Sequence, residues 1–259
     1  MLNEIIKKKL KEIVSLKSSL NISNIKPDGN KKYFYKKLLD NQKSKKNSII
    51  AEIKRKSPSK GVLIDNLNIS NTASSYSSGG ASCISVLTES NYFGGHIGIL
   101  EQIRPVASIP LLRKDFICDE YQIYESRAHG ADLFLLIATW LEQSQLNDLL
   151  SLGKDLGLPA LVETHNEYDV EKAFEAKADL IGINNRDLSN GKTDLGISRR
   201  LIPLALQEPN KVLVCESGVK GREEIDEFEK MGAHAFLIGE TLMKCKDIPK
   251  KLTELLNND

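Results

Sequence analysis

Short apolar runs recur along most of the chain, and each is followed by a polar loop and then by apolar residues at helical spacing. The runs occupy residues 49–53, 83–87, 110–112, 132–138, 159–162, 180–183, 212–214 and 235–238. They are apolar throughout instead of alternating with polar residues, which is typical of parallel strands that are packed on both faces. The pattern therefore predicts eight parallel strands that alternate with helices.

The number of these units and the length of the chain indicate how the sheet is arranged. The chain has 259 residues, which is a normal length for one α/β barrel without a second domain. We therefore predict a single (β/α)8 TIM barrel over residues 48–259. The alternative is an open doubly wound sheet, which usually has a glycine-rich turn after its first strand. Here Lys-Arg-Lys-Ser-Pro-Ser-Lys-Gly follows the first run, so the barrel is favoured.

The segment before the first run has a different texture and is rich in lysine, asparagine and serine. Helical patterns lie at residues 2–20 and 33–39, and a polar segment lies between them at residues 21–32. We predict that residues 1–47 form a helical extension that packs on the barrel. For residues 7–17 the alternative is a basic amphipathic helix that lies on a membrane surface.

Composition and charge exclude several classes of protein. The 36 Lys+Arg and 35 Asp+Glu residues give a net charge of +1, which is no argument for nucleic-acid binding over the whole molecule. We find no signal peptide and no apolar stretch near the roughly 18 residues of a membrane span. The four cysteines lack C-x-x-C spacing and nearby histidines, and Cys83 and Cys215 fall within apolar runs. We expect a cytoplasmic protein without a bound metal or a membrane partner.

Charged residues follow several of the apolar runs. Glu52 and Lys54 belong to the first run and, two residues apart, share one face of a strand. Later runs lead into Lys114, Glu163, Asn184, Glu216 and Ser217. Active sites of α/β barrels lie at the carboxyl ends of the strands, and a charged cluster there is costly unless it is used or paired. We expect these residues to converge, and two neighbouring lysines would make one of them a general acid near neutral pH.

Glycines directly after the last two strands indicate a second kind of chemistry. Gly218 follows Ser217, and Gly239 precedes Glu240. Glycine lets backbone N–H groups approach an anion closely, and the loops after strands seven and eight of a barrel often hold phosphate. The hydroxyl of Ser57, in the first loop, could join them. The sequence therefore predicts that these loops bind the phosphate group of a small-molecule substrate.

Six segments, in order along the chain, resemble the signature sequences of indole-3-glycerol phosphate synthases. They lie at residues 50–61, 111–117, 161–165, 181–187, 215–218 and 237–239. The resemblance covers the whole chain and includes the helical extension that this family places before its barrel. It implies a cofactor-free lyase of tryptophan biosynthesis. Such an enzyme converts 1-(2-carboxyphenylamino)-1-deoxyribulose 5-phosphate to indole-3-glycerol phosphate, carbon dioxide and water.

The resemblance also implies roles for the charged residues. Lys114 matches the general acid on the substrate ketone, and Lys54 matches the lysine that holds the anthranilate carboxylate, with the later dehydration as a further role. Glu163 matches the carboxylate of the proton-transfer steps. Glu52 and Glu216 match carboxylates that bind substrate hydroxyls and position the lysines.

The remaining site residues have implied roles in binding. Asn184 and Ser217 match residues that hydrogen-bond the substrate, and Arg186 matches a residue near the site. Ser57, Gly218, Gly239 and the amide of Glu240 match the phosphate cradle. Phe116, together with Phe93 in the second loop, matches residues that pack on the aromatic ring.

Other readings of the chain remain open at this point. A related barrel that acts on a phosphorylated sugar, such as phosphoribosylanthranilate isomerase, is expected to use a Cys and Asp pair, and the first run offers Glu52 and Lys54 instead. A decayed relative with a binding role should lose charged pocket residues first, and all of them are present. His165 lies two residues beyond Glu163, but histidines next to strands are usually structural. We expect a monomer, since the extension could cover barrel surface.

Overall fold

The computed structural model describes residues 2–17, 38, 41, 47–57, 61–187 and 190–256. Helix α1 spans Leu2–Leu16. The polar segment predicted at residues 21–32 lies outside the described residues, and so does the helical pattern at 33–39 except for Leu38, which is helical and buried. The boundary of the extension at residue 47 therefore stays a prediction.

Eight parallel strands close into a barrel, in sequence order around the ring, with the last strand paired to the first. The strands are β1 Ile49–Ile53, β2 Cys83–Leu87, β3 Leu111–Lys114, β4 Leu133–Ile137, β5 Ala160–Thr164, β6 Leu180–Asn184, β7 Val212–Glu216 and β8 Ala235–Ile238. The predicted (β/α)8 barrel is confirmed, and the open sheet is wrong. Several strands run further toward their carboxyl ends than the apolar runs do, because the ladder continues through polar residues such as Lys114 and Glu216.

Helices follow the strands and cover the outside of the barrel. They are α2 Ile69–Ser78, α3 Ile99–Ile103, α4 Glu120–Ala128, α5 Gln143–Asp155, α6 Glu167–Glu175, α7 Gly196–Ala205, α8 Arg222–Met231, α9 Glu240–Met243 and α10 Ile248–Leu256. A 3-10 turn spans Arg104–Val106. A short antiparallel pairing of Lys56–Ser57 with Gly61–Val62 follows β1. None of the helices within the described ranges is both long enough and apolar enough to cross a membrane.

The core has two layers because successive side chains of a strand point to opposite faces. In β4, Phe134 and Leu136 belong to the layer between strands and helices, whereas Leu133, Leu135 and Ile137 belong to the layer inside the barrel. The other strands alternate in the same way. By the same alternation, Glu52, Glu163 and Glu216 at the carboxyl ends of β1, β5 and β7 point into the barrel, on the same face of each strand as the apolar side chains below them. The fold thus gathers these residues over one interior.

Helix α1 is attached to the barrel by ion pairs. Lys9 is buried and its Nζ lies 3.2 Å from Asp115 Oδ1, just beyond β3. The exposed Lys17 pairs with Asp119, the residue that caps α4, at 2.8 Å. These two ion pairs connect the segment to the barrel. The packed extension over residues 1–47 stays a prediction, and so does the membrane-surface alternative for residues 7–17.

Candidate active site

A cavity of about 760 Å³ opens at the carboxyl ends of the strands. It is lined by residues from all eight strands or the loops that follow them, including Glu52, Lys54, Lys114, Phe116, Glu163, Asn184, Arg186, Ser217, Gly218, Gly239 and Glu240. Glu216 is fully buried beneath this lining. The structure therefore brings together most of the residues that the strand ends and loops singled out.

Lys114, at the end of β3, lies between two carboxylates from the far side of the barrel. Its Nζ is 3.1 Å from Glu163 Oε2 on β5 and 2.5 Å from Glu216 Oε2 on β7. Burial lowers the pKa of Lys114, but attraction to Glu216, Glu163 and Glu52 outweighs it and raises the pKa above its usual value. The direction of this shift is opposite to the one expected for a lysine tuned to neutral pH.

Glu163 and Glu216 share Lys114 and differ in their titration. Burial raises the pKa of Glu216 to about 8, with Glu163 adding to the rise and Lys114 opposing it. Burial acts in the same direction on Glu163, but Lys114, His165 and a hydrogen bond from Asn184 lower its pKa overall. Two adjacent buried carboxyl groups whose pKa values are shifted in opposite directions are an arrangement suited to acid–base chemistry.

The end of β1 supplies a second lysine and carboxylate pair. Lys54 Nζ hydrogen-bonds Glu52 Oε1, so the two groups that share a strand face also touch. Burial raises the pKa of Glu52, but Lys54, Lys114 and Arg186 together lower it. A Cβ on Gly239 would lie 2.5 Å from Glu52 Oε1, so glycine directly after β8 makes room for the Glu52 carboxylate.

The loop after β6 is tied to the end of β7 by amide side chains. Asn185 donates to the carbonyl oxygens of Glu216 and Ser217, both at 3.1 Å, and its Oδ1 accepts from the backbone of Ser198. Asn184 Oδ1 accepts from the Arg186 backbone at 3.0 Å, which leaves its amide nitrogen to donate to Glu163. These bonds fix the position of the loop over the cavity.

The loops after β7 and β8 have the backbone that close approach to a ligand requires. Ser217 and Gly218 both have positive φ, 61° and 91°, and a Cβ on Gly218 would lie 2.7 Å from Thr193 Cγ2. A non-glycine residue in this region is strained by roughly 1–3 kcal/mol, a cost often found at functional sites. Glu240 follows Gly239, and its carboxylate pairs with Lys244 at 2.6 Å. The cavity's lining does not include Ser57, which is buried in the antiparallel pairing after β1.

Two phenylalanines form an aromatic wall of the cavity. The ring centroids of Phe93 and Phe116 are 6.2 Å apart and the rings are tilted by 40°. Glu89 holds the loop that carries Phe93, since its carboxylate accepts from the backbone of residues 91, 92 and 93. Leu135 and Ile137 of β4 add apolar surface to the same cavity.

Sequence reasoning missed some cavity residues and misjudged one. Lys220 and Lys244 line the cavity beside the glycine loops, and Thr193 packs on Gly218. Lys220 lies three residues beyond Ser217, so a search for cations around the predicted phosphate loop could have found it. His165, interpreted as structural, has Nε2 at 3.3 Å from Glu163 Oε1. Across the part of the chain that the structure describes, no group of His, Cys, Asp or Glu could hold a metal ion.

The closed barrel and the charged cavity at the carboxyl ends of its strands define an enzyme of the (β/α)8-barrel class. The family model for indole-3-glycerol phosphate synthase matches residues 2–255. The chain belongs to this family.

Curated relatives with the same name match the chain closely. A protein of Desulfosudis oleivorans is 48% identical over 80% of this chain and 78% of its own length. A protein of Aliarcobacter butzleri is 41% identical over 99% of this chain and 98% of its own length. Both are named indole-3-glycerol phosphate synthase.

Solved structures of other barrels are similar in fold. A 3-hexulose-6-phosphate synthase has a TM-score of 0.61 at 14% identity and covers 80% of this chain and 97% of its own. The same enzyme from Salmonella typhimurium has a TM-score of 0.61 at 12% identity over 80% of this chain and 96% of its own. At these identities the likeness shows the barrel fold alone.

Proposed function

We propose that this chain is a carboxy-lyase that closes the indole ring of 1-(2-carboxyphenylamino)-1-deoxyribulose 5-phosphate. The products are indole-3-glycerol phosphate, carbon dioxide and water, in a step of tryptophan biosynthesis. One observation carries the proposal, namely that the ammonium of Lys114 is held between Glu163 and Glu216 in a cavity that also contains Lys54 and Glu52. These side chains place a fixed positive charge and fixed negative charges around one substrate, where they can stabilise charge that develops during the reaction.

Ring closure requires an acid at the substrate ketone. The Lys114 ammonium donates a proton to the ketone oxygen as the aromatic carbon that bears the carboxylate attacks the ketone carbon. A carbon–carbon bond forms, and the aryl amine becomes a positively charged iminium. Glu163 and Glu52, both buried and with lowered pKa values, supply negative charge near that cation. The interaction is strong because the carboxylates are fixed before the charge develops.

Loss of carbon dioxide follows from the same charge distribution. The bond from the ring to the carboxylate breaks, its electron pair returns to the ring and the iminium nitrogen, and aromaticity is restored. Lys54, hydrogen-bonded to Glu52, is placed at the end of β1 to bind the carboxylate before it leaves. Phe93 and Phe116 provide the apolar wall on which the aromatic ring packs.

Dehydration then completes the indole. The hydroxyl group made from the ketone leaves as water after it takes a proton from a lysine, and a proton is removed from the neighbouring methylene carbon. Glu163 is the base in this step because it is ionised and its Oε2 contacts Lys114, to which a proton can return. Asn184 and Ser217, which both line the cavity, would hydrogen-bond the substrate and hold it in place from ring closure to dehydration.

The phosphate of the substrate would bind at the loops after β7 and β8. Ser217 and Gly218 line the cavity and have positive φ, a backbone conformation found in anion-binding turns, and Lys220 lines the cavity beside them. The Glu240 carboxylate would repel phosphate, but its ion pair with Lys244 offsets that charge. The backbone amide of Glu240 is proposed as a phosphate ligand. Ser57 stays a prediction at this site, and Arg186 is proposed to bind substrate beside Glu52.

We also propose a cytoplasmic location and a monomer that needs no cofactor. Cys83, Cys118, Cys215 and Cys245 are free thiols, which fits a reducing compartment.

The proposed activity is tested by fluorescence of the indole product. Purified protein would be mixed with the carboxyphenylamino-deoxyribulose phosphate in the presence of a chelator. Formation of the indole product is the expected result. A folded protein that produces none, while it isomerises phosphoribosylanthranilate, would contradict the proposal and favour the related sugar-phosphate reaction.

A further inference from the structure

His165 follows β5 and its ring bridges the active site and helix α6. Nε2 lies 3.3 Å from Glu163 Oε1, and Nδ1 lies 3.0 Å from Thr139 Oγ1. The side chain is only 10% exposed. Nε2 itself is buried and makes no hydrogen bond within the described structure, so Glu163 faces it at ion-pair distance without a hydrogen bond. The imidazole is thus aimed at Glu163 by contacts on its opposite edge.

The contacts of Thr139 determine which nitrogen carries hydrogen. The Thr139 hydroxyl donates to Asp169 Oδ2 at 2.6 Å, and the backbone N–H of His165 donates to the same oxygen at 2.9 Å. A hydroxyl has one hydrogen to donate, so Thr139 Oγ1 can only accept from the ring. His165 Nδ1 is therefore the donor to Thr139. This hydrogen bond, on the edge of the ring opposite Glu163, fixes the tautomer with hydrogen on Nδ1.

This tautomer has a consequence for the contact with Glu163. A neutral ring with hydrogen on Nδ1 has a bare lone pair on Nε2. Facing an ionised carboxylate at 3.3 Å, that lone pair would be repelled. The contact is favourable only when one proton lies between Nε2 and Glu163 Oε1, on either group.

We propose that His165 is a positioning residue that shares a proton with Glu163 and holds the carboxylate with Oε2 toward Lys114. The inference rests on the proposed function, in which Glu163 is the base of dehydration. Asp169 on α6 and Glu163 on β5 are the charged groups that face the ring, and Lys114 and Glu216 act on it through Glu163. His165 faces Oε1 and Lys114 contacts Oε2, while Asn184 donates a further hydrogen bond to the same carboxylate.

The tautomer can be measured on the free protein by nitrogen NMR of 15N-histidine-labelled samples. The His165 signals would be assigned by their loss in H165Q. We expect hydrogen on Nδ1, because the Thr139 hydroxyl can only accept from it. In E163Q the Nε2 signal should shift, because the carboxylate that shares its proton is gone. A bare Nδ1, or an Nε2 signal that E163Q leaves unchanged, would overturn the proposal.

Kinetics separate a positioning role from a purely structural one. H165Q keeps an N–H donor near Glu163 but cannot titrate, so kcat should fall by at least about tenfold and the pH profile of kcat should lose one ionisation. H129Q, at the end of α4 and paired with Glu101, is the matched control and should keep both the rate and the profile. A fall in kcat with an unchanged profile, or no fall at all, would overturn the proposal. Because the NMR test needs no turnover, failure of the proposed reaction would be recognised separately.

Discussion

Gly182 on β6 faces Glu216 on β7 so closely that a Cβ on Gly182 would lie 2.2 Å from Glu216 Oε1. The neighbouring Asn184 pairs with Glu216 in the strand register, so Gly182 lies one inward position below it. The missing side chain leaves the space into which the Glu216 carboxylate extends to reach Lys114. The contact between Lys114 and Glu216 thus depends on the missing side chain of a glycine that contacts neither group by a hydrogen bond.

Replacing Gly182 by alanine should therefore displace the Glu216 carboxylate. We expect kcat to fall by at least about tenfold, because a misplaced partner changes the position of the Lys114 ammonium. Overpacking should also cost roughly 1–3 kcal/mol of unfolding free energy. The comparison is with G153A, where a Cβ would meet Phe134 at 2.6 Å in the outer core, far from the cavity. Thermal melts and kcat should show stability lost in both variants and activity lost only in G182A.

The ion pair between Lys9 and Asp115 should make part of the stability depend on pH. Burial raises the pKa of Asp115, but Arg113 and Lys9 lower it below its usual 3.8. Burial lowers the pKa of Lys9, but Asp115 and Glu12 raise it above 10.5. A lowered carboxyl pKa contributes stability above its unfolded value, and a raised lysine pKa contributes stability below its own. The contribution is therefore fully present between about pH 4 and pH 10.

K9M should lose this contribution, which for one partner of a buried pair is about 3–5 kcal/mol near pH 7. The difference from wild type should shrink as pH falls through the lowered pKa of Asp115, since the protonated carboxyl no longer needs Lys9. Urea unfolding at pH 7 and pH 3 measures it. K17M removes an exposed charge directly after the same helix and should change little. A gap between K9M and wild type that is equal at both pH values would contradict this account.

Lys54 should act mainly in substrate binding. In K54M the substrate carboxylate loses a charged hydrogen-bond donor, an interaction of about 1.5–3 kcal/mol, which corresponds to roughly a ten- to hundredfold rise in KM. Initial rates over a range of substrate concentrations measure it. K56M, two residues further on and outside the cavity lining, is the control. If kcat falls in K54M while KM is unchanged, Lys54 acts in the chemical steps instead.

Much of the barrel could be predicted because parallel strands covered on both faces leave an apolar signature. The runs at β1, β2 and β8 have the observed bounds, whereas β3, β5 and β7 extend further. Their polar ends are inward-facing positions at the mouth of the barrel, where lysine and glutamate pair with each other instead of with an apolar core. Sequence hydrophobicity has no signal for such pairing, so the strands were predicted too short.

The site was predictable in its residues but not in its electrostatics. Glu52, Lys54, Lys114 and Glu163 stand at strand ends that any barrel brings together. The raised pKa of Lys114 depends on carboxylates 49 and 102 residues away in the chain, and no local pattern reports them. His165 was misjudged for the same reason, because its partner Thr139 follows a different strand.

The central claim is that Lys114 is the acid of ring closure, and its most direct test is product formation by K114M. Single-turnover fluorescence with excess enzyme would compare K114M with wild type, and circular dichroism would check that both are folded. We expect a folded K114M whose rate of indole product formation is lower by about 100- to 10,000-fold. Product formation at close to the wild-type rate would contradict the claim and assign the acid to another residue of the cavity.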